Sequence, residues 1–89
     1  MAKIVFTQNV QRHVECPEAE ATGRTVREVL DNVFRENPQA RGYVLDERSA
    51  LRRHMTIFVD GRMIRDRAGL TDAVTETSTV YVFQALSGG

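Results

Sequence analysis

Apolar positions in this chain recur at two different spacings, and each change of spacing marks an element. Val26, Val29, Leu30, Val33 and Phe34 fall at i, i+3, i+4, i+7 and i+8, the stripe of an amphipathic helix that faces a core. Thr25-Val26-Arg27-Glu28 has the form of a capping box. In that motif the threonine hydroxyl accepts from the Glu28 amide while the Glu28 carboxylate reaches back. Asn37-Pro38 stops the helix, because proline cannot continue it and restricts the residue before it. The pattern predicts a helix over roughly 26–36.

Elsewhere the spacing shortens to two. Residues 3–7, 51–59 and 79–83 read as strands rich in β-branched and aromatic side chains. Pro17-Glu18-Ala19-Glu20-Ala21 reads as a weak edge strand that begins at proline, and residues 8–16 as a hairpin connection. Asp60-Gly61 is a turn signal, with Arg62-Met63-Ile64 as the short returning strand. Tyr43-Val44-Leu45 fits a helical turn or a short extended piece, and Asp46-Glu47-Arg48-Ser49 a polar turn. The segment 69–74 is a compact connection whose Leu70 and Val74 plug the core. Two strands, a helix and two or three more strands make an α+β pattern. The helix stripe would pack with Ile4, Phe6, Met55, Ile57, Val59, Ile64, Leu70, Val80 and Val82 into one core.

Alternation also fixes what lies on the other side of the sheet. With those residues pointing at the helix, Val5, Phe58, Tyr81 and Phe83 point away. A solvated antiparallel face normally shows polar residues at such positions. A contiguous apolar patch marks a partner surface, and aromatic side chains are its usual anchors. The same pattern also fits a face covered by Tyr43-Val44-Leu45 or another loop, or a homodimer.

Composition narrows the chemistry. The 89 residues suffice for one small domain. Hydrophobic residues make up 42% and charged residues 27% of the chain, so disorder is not expected. Twelve basic residues balance twelve acidic ones, which argues against a general nucleic-acid binder. One cysteine, Cys16, forms no internal disulfide and cannot alone hold a zinc or iron–sulfur centre. No apolar run approaches the roughly 20 residues of a membrane span. Met1-Ala2-Lys3-Ile4 has no signal-peptide character, so the expected location is the cytoplasm. Lys3 is the only lysine among twelve cations, so the chain offers almost no amine acceptors of its own.

The sequence closes on Gly88-Gly89, with no charged side chain after Glu76. A frayed end accounts for a glycine pair alone. Beyond Phe83, however, the residues 84–89 extend about 20 Å. Glycines lack Cβ and can thread a narrow channel. The reactive group would then be the Gly89 carboxylate. Such a group must be activated before it can donate an acyl unit, most simply by attack on the α-phosphate of ATP. The chain has neither a GxxxxGK[ST] loop nor a GxGxxG turn, so a separate ATP-using protein would have to activate it while the aromatic patch holds the domain. No cofactor is expected to be bound by the chain itself.

The helix start Thr25-Val26-Arg27-Glu28-Val29-Leu30, the strand-turn Ile57-Phe58-Val59-Asp60-Gly61 and the ending Val80-Tyr81-Val82-Phe83-Gln84-Ala85-Leu86-Ser87-Gly88-Gly89 resemble the MoaD/ThiS sulfur carriers of the ubiquitin-like β-grasp superfamily. Leu51-Arg52-Arg53-His54-Met55-Thr56-Ile57-Phe58-Val59 is most similar to the CysO-like branch. The resemblance implies a β-grasp domain over 1–84, with a mixed four- to five-stranded sheet and one main helix on one face, and a flexible tail over 85–89. It implies that Gly89, with Gly88, is adenylated by a MoeB/ThiF-like, ubiquitin-activating-type adenylyltransferase and converted to a thiocarboxylate. A sulfur donor, a sulfur-accepting biosynthetic enzyme and a JAMM-type metalloprotease are the further partners it implies. By position Phe58 and Phe83 match the ubiquitin patch used for partner docking, and Val5, Phe58, Tyr81, Phe83 and Leu86 are together the expected partner-binding residues. The chain departs from the family at Thr77-Ser78, where many carriers have Gly-Asp, and in a tail without prolines.

The remaining candidates are weaker. Cys16 has no neighbouring thiol and reads as inert. His13 and His54 lack metal-ligand spacing, and no metal is expected. Arg52-Arg53 fits a solvated strand edge or an acidic partner. Asp46-Glu47 and Asp60 do not form a general acid/base pair. Three readings follow: a sulfur carrier, which is a cosubstrate and not an enzyme; a ubiquitin-like modifier joined through Gly89 to lysines of other proteins; and a non-covalent interaction module.

Overall fold

The computed structural model describes residues 1–12 and 14–84. The expected tail over 85–89, including Leu86, Gly88 and Gly89, lies outside the described residues, as does His13. The element order is β1 (Ala2–Phe6), α1 (Gln8–Gln11), β2 (Ala19–Ala21), α2 (Val26–Glu36), α3 (Pro38–Val44), β3 (Met55–Val59), β4 (Arg62–Met63) and β5 (Thr79–Gln84).

The five strands form one sheet in the order β2-β1-β5-β3-β4. β1 and β5 pair in parallel at its centre, and the other pairings are antiparallel. This mixed sheet with α2 packed across one face is the β-grasp expected from the resemblance. Ile4, Val26, Val29, Leu30, Ile57, Leu70, Val80 and Val82 are fully excluded from solvent. Every residue of the expected core is buried except Val59, which packs half-buried against it.

Helix α2 runs over the predicted residues. Thr25 accepts from the Glu28 amide at 3.2 Å, as in a capping box. The Glu28 carboxylate reaches one residue further than the motif requires, to the Arg24 amide at 2.9 Å. Gly23 makes room for this start. Its φ is +154°, and a Cβ there would lie 2.8 Å from the Val29 backbone nitrogen.

Three expectations need correction. Proline 38 does not merely end α2. It opens α3, because a missing N–H costs nothing at a first helical position. Val44 and Leu45 then enter the core. The hairpin connection is also more than a loop, since α1 inserts Val10 into the core. Finally, the strand expected over 51–59 begins only at Met55. Leu51 instead bridges to Leu45, and Met55 N donates to Arg52 O to close a turn. The Asp60-Gly61 turn is as predicted: both residues have positive φ, at 50° and 85°. That is the two-residue hairpin geometry matched to strand twist.

Candidate functional site

The outward positions of four adjacent strands line up across the sheet. Val5 pairs with Tyr81, Tyr81 with Phe58, and Phe58 with Met63. Directly paired residues share a face. The result is a continuous apolar row, Val5-Tyr81-Phe58-Met63, with Phe83 one rung further along β5. Tyr81 is 39% and Met63 58% exposed; Val5, Phe58 and Phe83 are half-buried. The Phe58 and Phe83 rings meet edge to face at 5.3 Å, and Tyr81 is tilted against Phe83 at 6.1 Å. These spacings lie in the preferred range for aromatic pairs.

The structure thus brings together Val5, Phe58, Tyr81 and Phe83 and adds Met63, which the sequence reading missed. Its pairing with Phe58 follows once the two-residue turn is known. Tyr43-Val44-Leu45 does not cover this face. Val44 and Leu45 are in the core, and Tyr43 packs edge-on against His54 at 5.9 Å. Thr56, opposite Phe83, has a buried hydroxyl with no hydrogen-bond partner among the described residues.

The end of β5 is built differently. Gln84 pairs with Met55, and the Tyr43 hydroxyl donates to the Gln84 side-chain oxygen. Arg52, Arg53 and His54 immediately precede Met55. Arg67 donates to the carbonyls of Arg52 and Met55, both at 2.8 Å. Arg52 donates to the Gly42 carbonyl at 2.9 Å. Arg52, Arg53 and Arg67 therefore lie on the segment that adjoins the Met55–Gln84 pair, at the last described residue of β5.

The carboxylates serve the loops. Asp60 accepts from the Thr79 amide and the Ser78 hydroxyl, and these bonds hold its carboxyl below the ordinary carboxylate value. This explains Ser78 before the last strand: it is the buried polar residue that ties the β3–β4 turn to β5. The hydroxyl of Thr71 and the amide of Gly69 lower Asp66, and the amides of Ala50 and Arg48 lower Asp46. Asp72 accepts from the amides of Arg65 and Asp66. Burial pushes the Cys16 thiol up, which disfavours the reactive thiolate. Among the described residues no three His, Cys, Asp or Glu side chains are grouped to hold a metal ion. Nor is any helix there long and apolar enough to cross a membrane.

The β-grasp scaffold with this aromatic sheet face falls in the class of small ubiquitin-like carriers and modifiers, which are not enzymes themselves. The sequence profile of the ThiS family matches residues 4–89, and the chain belongs to that family. Among solved structures, CysO in the BexX/CysO complex of Amycolatopsis orientalis superposes with a TM-score of 0.82 at 23% identity, covering 100% of both chains. CysO of Mycobacterium tuberculosis gives 0.79 at 19% identity, over 97% of this chain and 100% of that one. SAMP1 of Haloferax volcanii gives 0.77 at 18%, over 99% and 98%. At these identities the likeness is one of fold. No curated protein matches the chain significantly.

Proposed function

We propose that this protein is a sulfur carrier. Its Gly89 carboxylate is adenylated by a separate ATP-dependent enzyme and converted to a thiocarboxylate, which donates sulfur to a biosynthetic enzyme. The carboxylate oxygen attacks the α-phosphate of ATP and pyrophosphate leaves. A sulfide equivalent from a sulfur donor then displaces AMP at the acyl carbon. The domain contributes position: the aromatic row docks the activating enzyme while residues 85–89 reach its nucleotide. The observation that carries this reading is the extent of the family match, which runs through Gly88-Gly89.

Intact mass spectrometry of protein from its native host tests it. A gain of about 16 Da confined to the C-terminal peptide, oxygen replaced by sulfur, is expected. Protein that is never adenylated and never gains this mass would overturn the reading. A second reading, conjugation through Gly89 to lysines of other proteins, is favoured by the structural likeness to SAMP1, described as a small archaeal modifier protein. Tryptic branch peptides carrying residues 68–89 on lysines of other cellular proteins would support it, because Arg67 is the last tryptic site of the chain.

A further inference from the structure

Charge is distributed unevenly over this formally neutral chain. Residues 41–67 hold seven arginines against four acids, a net of +3, and the rest holds five cations against eight acids. Three of the seven arginines, Arg52, Arg53 and Arg67, gather at the start of β3, beside Gln84 at the end of β5. Arg48 lies in the loop just before them, between α3 and β3. Asp46 is the acid that faces Arg48 and Arg52, and both of its hydrogen bonds from this loop are to backbone amides. Among the described residues the ion pair formed is that of Lys3 with Glu18, so none of these arginines is neutralised by a salt bridge. Arg53 is exposed.

We propose that this arginine rim is a second docking element, distinct from the aromatic row, and that it fits an acidic protein surface around the entrance that receives residues 85–89. The proposal rests on the carrier reading, since any enzyme that takes up that segment must come against this margin. Unpaired guanidiniums at the rim of an interface act mainly on the rate of encounter, through steering that salt screens. A polyanion such as RNA fits less well. It would also meet the net negative remainder of the molecule, and the neighbouring aromatic rings pack against one another instead of fanning out for base stacking. Arg67 is already committed to backbone carbonyls, so Arg53, with Arg48, is the principal contributor.

The test is stopped-flow association of the full chain with the adenylyltransferase of its own host, from low to high salt. ATP–pyrophosphate exchange is followed in parallel. Wild-type association should slow by about tenfold as salt rises. Arg53→Glu should associate about tenfold more slowly at low salt and lose most of the salt dependence. Arg62→Glu, at the far end of the sheet, serves as the equal-charge control and should stay close to wild type. Normal exchange with equal rates for the Arg53 and Arg62 variants would overturn the rim while leaving the carrier reading intact. No exchange with wild type at any salt would overturn both. Normal association of Arg53→Glu with the enzyme, together with lost binding to total tRNA, would overturn the protein-docking proposal in favour of a nucleic acid.

Discussion

The rings of Phe58 and Phe83 contact each other edge to face, 5.3 Å apart at 65°, although neither is the other's register partner. Phe58 pairs with Tyr81 and Phe83 with Thr56. Diagonal neighbours on a sheet remain within reach of aromatic side chains, and here that contact knits the outward row into one surface. The rings hold each other in place, which would lower the ordering cost of the docking proposed for this face.

Tyr81 lies at the middle of this row and is exposed. Tyr81→Ala should weaken association with the activating enzyme by about 2 kcal/mol, roughly thirtyfold, as for a central aromatic anchor. Stability should change little, because the side chain is not in the core. Calorimetric titration beside thermal melts separates the two effects, and an unchanged Kd would remove the row as the docking surface.

Arg67 clasps the carbonyls that lead into β3. Arg67→Met keeps the stem and deletes the donors, leaving carbonyls beside the sheet edge without them. A loss of about 2 kcal/mol in urea unfolding is expected. Amide exchange should quicken most in the 51–56 segment.

Gly23 has no room for a methyl group. Gly23→Ala must rotate away from a positive φ or displace the first turn of α2, at a cost of at least about 2 kcal/mol. Gly42, where an added Cβ meets nothing within 4 Å, is the control position, and Gly42→Ala should melt at or above the wild-type temperature.

Acid sensitivity follows from Asp46, Asp60 and Asp66. Hydrogen bonds lower each native pKa, so below its ordinary value of about 3.9 the unfolded chain binds more protons than the native one. Their stabilisation is complete well above that value and is lost as pH falls through it towards the native pKa. Denaturant midpoints should therefore be level from neutral pH down to about 5 and then decline. Asp66→Asn should be less stable near neutrality and show a shallower acid decline. Parallel curves for variant and wild type would contradict the assignment.

What this sequence determined by itself was local. The 3.6-residue stripe and capping residues of α2, the positive-φ turn at Asp60-Gly61 and the inward or outward sense of Val5, Phe58, Tyr81 and Phe83 all follow from steric rules acting within a few residues. The diglycine end was equally plain as composition. Tertiary structure decided the rest, because the causes lie far apart along the chain. The parallel pairing of β1 with β5 joins residues more than seventy positions apart, and it alone places Val5 beside Tyr81. The short β4 brings Met63 into the row. A late start to β3 follows from competition: Leu51 and the carbonyls after it find partners in Leu45 and Arg67 instead of a neighbouring strand. The arginine rim exists only because packing sets that late start against the end of β5. Periodicity specifies which way a side chain points, but its neighbours are set by burial shared among distant segments.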